Sequence, residues 1–558
     1  MKIQLTLPER NQETLKYCNS HEKTHLQATD GWIKSLPTTD LKKTGKQLII
    51  ALNEIIRLNC DPALQFQLAE KLHSIAITAT RNIHQRYLNQ SITFDPAQQA
   101  YFDLCSTLLQ TLSTTYISVV QNSIDHKKTD KTLAQACHRA MADSSQIYLL
   151  DCQFYRSPPK GFWLNFHTLY QIADHFKILD YEQVDIHCDK TKALSIATIY
   201  KRSLLISRSR YNKLTSEEIN QTWSALAIWA PHCKISKNSG LKIYFAVNIN
   251  ADEGMHYAAP DPDKPAKGVI GIDARVLSTH LTKLRDKADA KSALSSQLLS
   301  HLASAWSQIS KRQHPRQQST LSCMICSGFS AVHYQLSGKQ KFNDLIAPYA
   351  DNHASGKSAF NSDKKDDVWS EVHDVDDDNE GKLLSTKSES IIEFNKQPST
   401  DNQLYAPESS QVINTSAGGY CLKLVNPASG KLNVGDPLVI KEYADDEKKS
   451  WLLAAIRWIE VLDNKDIKMG IELISAKVEP CAIALIHKTR ETSRFQRCFL
   501  LPEISAIGQH SSLMMPGLGV KPGHKFRLLH NETVKKGQLL KCASSTSSYS
   551  EYQYRLFN

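Results

Sequence analysis

A chain of 558 residues with a formal net charge of +10 and a mean hydropathy of −0.38 is too long for one hydrophobic core, so roughly three or four domains are expected. No apolar run reaches membrane-spanning length and the start, MKIQLTLPER, has no signal-peptide core, which excludes a helical membrane protein and points to the cytoplasm. The basic balance favours an anionic partner, but its charge is not gathered into one run, which counts against nucleic-acid coating.

The first 180 residues read as a helical domain, a bundle or solenoid-like region. Leu48, Leu52, Ile55 and Ile56 share one face of a helix over 45–58. Asp61-Pro62 is a cap and first-turn signal before Leu64, Leu68, Leu72, Ile75, Ala79 and Ile83. Further helical stripes run from Tyr101 to Val119, from Leu133 to Tyr148 and from Trp163 to Ala173, with Ser-Pro-Pro at 157–159 as a stop. Residues 181–304 read as a mixed α/β linking domain. Thr215 starts a helix whose Trp223 and Trp229 are expected in the core, Leu241 to Ile249 alternates like a strand, and a helix begins near Ala288.

A strand is expected from Ser322 to Leu336, with Gly328 as a bulge. Residues 338–410 are rich in Ser, Asp, Lys and Asn and poor in aromatics, the composition of a disordered insertion. Asp374, Asp376 and Asp378 alternate as in a calcium loop, but Asn379 and Ser385 stand where its glycine and closing glutamate belong, so that reading fails. Strands are expected at 414–425, 436–442, 451–461 and 468–474, spaced by Gly/Asn/Asp turns as in an antiparallel barrel. Residues 479–558 repeat the texture and read as a second, small β-domain. The expected fold class is therefore α+β and multidomain, with a helical region followed by two β-domains.

The stretch from Lys311 to Leu336 opens with Arg312 and Arg316 around Pro315, a short non-helical arm at the edge of the first β-domain. Guanidinium forks suit phosphates and guanine edges and stack on purines. Asn414-Thr-Ser-Ala-Gly-Gly419 follows, and then Val434-Gly-Asp-Pro-Leu, Ile456-Arg-Trp and Gly470-Ile-Glu-Leu. Together these segments resemble the PilZ domain, a bacterial receptor for cyclic di-GMP, whose signature is RxxxR on an arm and then D/NxSxxG on a strand. The resemblance covers about residues 305–478, with two departures: the gap between the motifs is far wider than usual, and Asn414 stands where Asp is common. It implies a barrel that binds cyclic di-GMP, with Arg312 and Arg316 on phosphates and guanine edges. Asn414 and Ser416 would hydrogen-bond a base, Gly419 would leave room for it, and Lys311 would add phosphate attraction.

Other chemistry is sparse. Cys323 and Cys326 form a CxxC without a second pair and read as ordinary buried cysteines among thirteen scattered ones. No phosphate-binding loop, nucleophile elbow, zinc-protease motif, or signature of the enzymes that make or degrade cyclic di-GMP appears. No catalytic residue, metal or cofactor is expected. The reading is a cytoplasmic cyclic di-GMP receptor that relays binding to a helical output region engaging a protein partner. The alternative is a scaffold whose barrel no longer binds nucleotide. RNA binding would need aromatics interleaved with basic residues, which the sequence does not display.

Overall fold

The computed structural model describes residues 7–86, 92, 94–184, 187, 193–236, 245–258, 268–287, 294–307, 315–349, 405–425, 427, 432–442, 450–486, 493–503, 510–517 and 520–557. Lys311, Arg312 and the acidic run at 374–380 lie outside them.

Aspartate caps start the long helices of the N-terminal region. Asp40 accepts from the Lys43 amide at 3.0 Å and begins α2 (Leu41–Arg57), which follows α1 (His25–Lys34). Asp61 and Asp95, each followed by proline, begin α3 (Pro62–His84) and α4 (Pro96–Asp125), and Asp130 begins α5 (Lys131–Gln153). The stripes face inward: Leu48, Leu52, Ile55, Leu68, Leu72, Leu108, Leu112 and Met141 are fully buried. Then come α6 (Phe162–His175), a two-stranded ribbon of β1 (Glu182–Gln183) and β2 (Leu194–Ser195), α7 (Ile196–Ser207) and α8 (Ser216–Trp229). Trp223 is buried as expected, with the Arg202 guanidinium 3.9 Å from its ring. A four-stranded antiparallel sheet in the order β3-β6-β4-β5 uses Lys234–Ser236, Phe245–Asn248, His256–Tyr257 and Val269–Asp273 as β3 to β6. After α9 (Arg275–Lys287), α10 (Ser296–Ala305) is pinned by Trp306, whose indole donates to the Leu205 carbonyl at 3.0 Å. The arm therefore leaves from a fixed point.

The first barrel uses β7 (Gln317–Gln318), β8 (Ser322–Ser327), β9 (Glu408–Ser416), β10 (Gly419–Leu424), β11 (Pro437–Glu442), β12 (Leu452–Val461) and β13 (Ile467–Ser475). The sheet runs β10-β13-β12-β11-β8-β9-β7, and β9 also pairs with β10, which closes six strands into a barrel with β7 continuing the β8 edge. The single strand expected at 414–425 is thus a hairpin. The second barrel is closed in the order β14-β15-β16-β19-β18-β17, from Glu479–Ile486, Gln496–Leu501, Ser512–Pro516, Lys525–His530, Thr533–Ser545 and Tyr549–Leu556 as β14 to β19. Its longest strand, β18, escaped the sequence reading because much of it faces solvent and carries lysines.

Two expectations need correction. The strand at 322–336 ends at Ser327, and Phe329–Leu336 is a helix, α11, with Gly328 at its N-cap instead of in a bulge. Phe329, Val332, His333 and Leu336 recur at helical spacing. The helix packs between the barrels, where Phe329 stacks on Phe499 at 4.9 Å between centroids. The expected insertion at 338–410 is folded at both ends: α12 (Phe342–Ile346) buries Phe342 against Ala482, Ala484 and Leu529 of the second barrel, and β9 begins at Glu408. The acidic centre of that segment lies outside the described residues.

Cys323 and Cys326 sit on opposite faces of β8, one in the main core and one against the second barrel, and burial pushes both thiols up to about 11. No disulfide forms among the described residues. No described helix is long and apolar enough to cross a membrane.

The barrels are also joined at a turn. Thr546, Ser547 and Ser548 donate hydroxyls to the Gly435 carbonyl, the Val434 carbonyl and the Asp436 carboxylate. Burial pushes Asp436 up to about 6. A carboxyl raised in the fold contributes stability that is complete below its unfolded value and is lost as pH rises through about 6. Urea midpoints at pH 5 and pH 7.5 should therefore differ more in the wild type than in Asp436→Asn. An equal difference in both would contradict this.

Candidate functional site

Asn414 and Ser416 alternate along β9 and so share a face. Ala417 and Gly418 form the turn, and Gly419 opens β10 directly opposite Ser416. The Ser416 hydroxyl donates to the Gly419 carbonyl at 3.3 Å. On the other edge of β9, Gln317 pairs with Thr415 and Gln318 with Asn414. Continued by one residue, that register sets Arg316 opposite Ser416. On the far side β10 pairs Gly419 with Glu472 and Cys421 with Gly470. Two rows cross the sheet: Arg316, Ser416, Gly419 and Glu472, then Gln318, Asn414, Cys421 and Gly470. Each row shares one face. That face is the outside of the barrel, since Leu422 and Ile471, which alternate with these residues, belong to the core.

Gly419 has a steric reason to be glycine: a Cβ would overlap the Ile471 carbonyl oxygen on the neighbouring strand. Its missing side chain therefore serves strand approach, besides any room it leaves for a base.

A regular strand would send Arg457 and Trp458 to opposite faces, and on that ground the sequence reading omits both from the site. The structure corrects this with a bulge, because β12 carries an extra residue between Ile456 and Trp458. Trp458 pairs with Gly470, and its indole lies where a glycine Cβ would be. Arg457 donates from Nε to Glu472 Oε2 at 2.5 Å. Gly470 and Glu472 are two apart on β13, so the ring and the guanidinium stand on the same outer face, beside the hairpin.

The helical region reaches this face too. Val461 donates its amide to the Tyr155 carbonyl at 2.9 Å, and the 3-10 turn Tyr211–Lys213 packs against β12. Lys213 is still exposed, but burial, and then the charges of Arg210, Arg316 and Arg457, push its pKa down, with Glu472 acting the other way. Lys213 thus feels three other cations and one carboxylate. Such a cluster repels itself until an anion joins it. Arg316, exposed at the end of the arm, makes no ion pair with the described residues. The structure thus brings together Arg316, Asn414, Ser416 and Gly419 from the sequence reading, and adds Trp458, Arg457, Lys213 and Arg210.

Residues 27–239 match the family described as "Cyclic-di-GMP receptor FimW, N-terminal domain", 244–480 match "Cyclic-di-GMP receptor FimW, middle PilZ domain", and 481–557 match "FimW C-terminal beta-barrel domain". The middle region is a PilZ domain. Along its length it is similar to the cyclic-di-GMP receptor FimW of Pseudomonas aeruginosa, with 26% identity over 99% of this chain and 93% of that protein. The middle match contains every residue of the two motifs, and the outer face just described is the face of that PilZ domain.

Lys213 and Arg210 carry no motif, and nothing in the sequence reports that the segment after α7 returns to a barrel more than a hundred residues downstream. Arg457 and Trp458 were visible as a pair on a strand, but a bulge has no signal in that run of apolar residues. An aromatic and an arginine side by side on a barrel strand were the available hint.

Proposed function

We propose that the chain is a cyclic di-GMP receptor that takes its ligand on the outer face of the first barrel, between the arginine arm and the helical region. The observation that carries this is the row Arg316, Ser416 and Gly419, with Lys213 of the helical region among the cations beside it. Cyclic di-GMP offers two phosphates, which suit this excess of cations, and two guanines with flat faces and acceptor edges. Arg316 and Arg312 supply forks for phosphate and for guanine O6 and N7, and Lys311 adds charge. Asn414 and Ser416 address a base edge, and Trp458 gives a stacking surface worth about 1–3 kcal/mol per base. Ligand held by both the barrel and Lys213 would fix the helical region against the barrel, and this is the proposed relay to a protein partner. The reading is of a cytoplasmic, non-enzymatic protein that needs no cofactor.

Lys213→Ala tests the part played by the helical region. Losing a charge-assisted contact is worth ~1.5 kcal/mol, or about tenfold in affinity. Stability should hold or rise, because a cation crowded by three others has gone. Unchanged affinity in calorimetric titration with cyclic di-GMP would remove Lys213 from the site. A wild-type chain that takes up no cyclic di-GMP would favour a scaffold with an emptied barrel.

A further inference from the structure

We propose that the helical region holds a divalent transition-metal ion at His73, Asp143 and His187. His73 lies on α3, Asp143 on α5, and His187 in the connection between β1 and β2. Their ligand atoms all lie within 4.8 Å of one another. His73 Nε2 is 3.2 Å and His187 Nε2 2.8 Å from the same oxygen, Asp143 Oδ1. Zinc bound to imidazole and carboxylate at about 2.0–2.2 Å in tetrahedral geometry spaces its donors about 3.3 Å apart. The 3.2 Å separation matches this value, and the 2.8 Å separation is that of a hydrogen bond which an ion would lengthen by about 0.5 Å.

A purely hydrogen-bonded His-Asp-His cluster explains only half of the carboxylate. Asp143 is fully buried, and its Oδ2 has no hydrogen-bond partner among the described residues. An orphaned buried carboxylate oxygen is costly. Coordination through both oxygens, or a metal-bound water donating to Oδ2, removes that cost. The neighbouring cation does not serve, because Arg139 is forked onto Glu70, with Nε to Oε1 at 3.0 Å and Nη2 to Oε2 at 3.2 Å. Two imidazoles and a carboxylate select zinc-like ions over Mg2+ or Ca2+, which take oxygen donors. The ion would be structural, tying His187 onto α3 and α5. It is independent of the nucleotide face.

The test uses the full chain, stripped with chelator and titrated with Zn2+ and, separately, Co2+. About one tight ion per chain is expected, and His187→Gln should weaken it at least ~100-fold by removing one of three ligands. Bound Co2+ should show ligand-field bands without the thiolate charge-transfer absorption that binding by any of the thirteen cysteines would give. Zn2+ should raise the unfolding temperature of the wild type but not of His187→Gln, since an ion that binds only the folded state stabilises it. Should Asp143→Asn fail to fold, His73→Gln provides a second ligand deletion with the same readouts. No tight ion in the wild type, thiolate absorption from bound Co2+, or equal affinity in the histidine variants would leave a hydrogen-bonded cluster and overturn the proposal.

Discussion

Arg316→Ala is expected to weaken cyclic di-GMP binding by roughly 10- to 100-fold, the equivalent of ~1.5–3 kcal/mol for a charge-assisted fork. The unfolding temperature should barely move, because the side chain is exposed and makes no ion pair with the described residues. Arg316→Lys keeps the charge but not the planar fork, so it should recover little affinity if bidentate and stacking contacts matter. Arg312→Ala should cost a similar amount, and the double variant should approach complete loss with coupling, since both side chains would grip one ligand. Calorimetric titration beside thermal unfolding checks all four variants. A large fall in stability would mean that Arg316 holds the fold and that weaker binding is secondary.

Gly419→Ala should behave in the opposite way. The new methyl group would overlap the Ile471 carbonyl oxygen, and the strand pairs Gly419–Glu472 and Tyr420–Ile471 would have to separate to make room. Overpacking typically costs about 1–3 kcal/mol, and a rigid backbone neighbour places this case at the upper end. The unfolding midpoint should drop, and affinity should fall with it as the hairpin shifts. Ser416→Ala provides the comparison on the same row: it removes one neutral hydroxyl, worth ~1 kcal/mol, with little change in packing. Full stability in Gly419→Ala with lost binding would instead mean that the glycine serves only to leave room for a base.

Much of this arrangement was legible in the sequence because local chemistry announced it. Asp61-Pro62 marks a helix start, the stripes at 3.6 spacing mark the long helices, and short runs between Gly, Asn and Asp mark most strands of the barrels. The two motifs, read together, pointed to the barrel and to one patch on it. What stayed hidden depended on long-range geometry. The helix Phe329–Leu336 resembles a strand continuation because its apolar residues follow directly on β8, and its helical spacing is too short a run to stand out without its packing between two barrels. A regular strand sends Trp458 and Arg457 to opposite faces, and a bulge changes the face without changing the residues. Lys213 reaches the site through docking of the helical region on β12, and His73, Asp143 and His187 converge from three separate elements. Neither cluster has a spacing that a single sequence could reveal.

The central claim is most directly tested by titrating the full chain calorimetrically with cyclic di-GMP and, in parallel, with cyclic di-AMP. Both ligands carry the same backbone charge, so the cationic cluster alone would treat them alike. The arginine forks distinguish them, because guanine offers O6 and N7 as paired acceptors where adenine puts an amino donor in place of O6. The expected result is saturable binding of cyclic di-GMP, at least ~10-fold weaker binding of cyclic di-AMP, and loss of the preference in Arg316→Ala. Equal binding of the two ligands, or no binding of cyclic di-GMP by a folded wild-type chain, would contradict it.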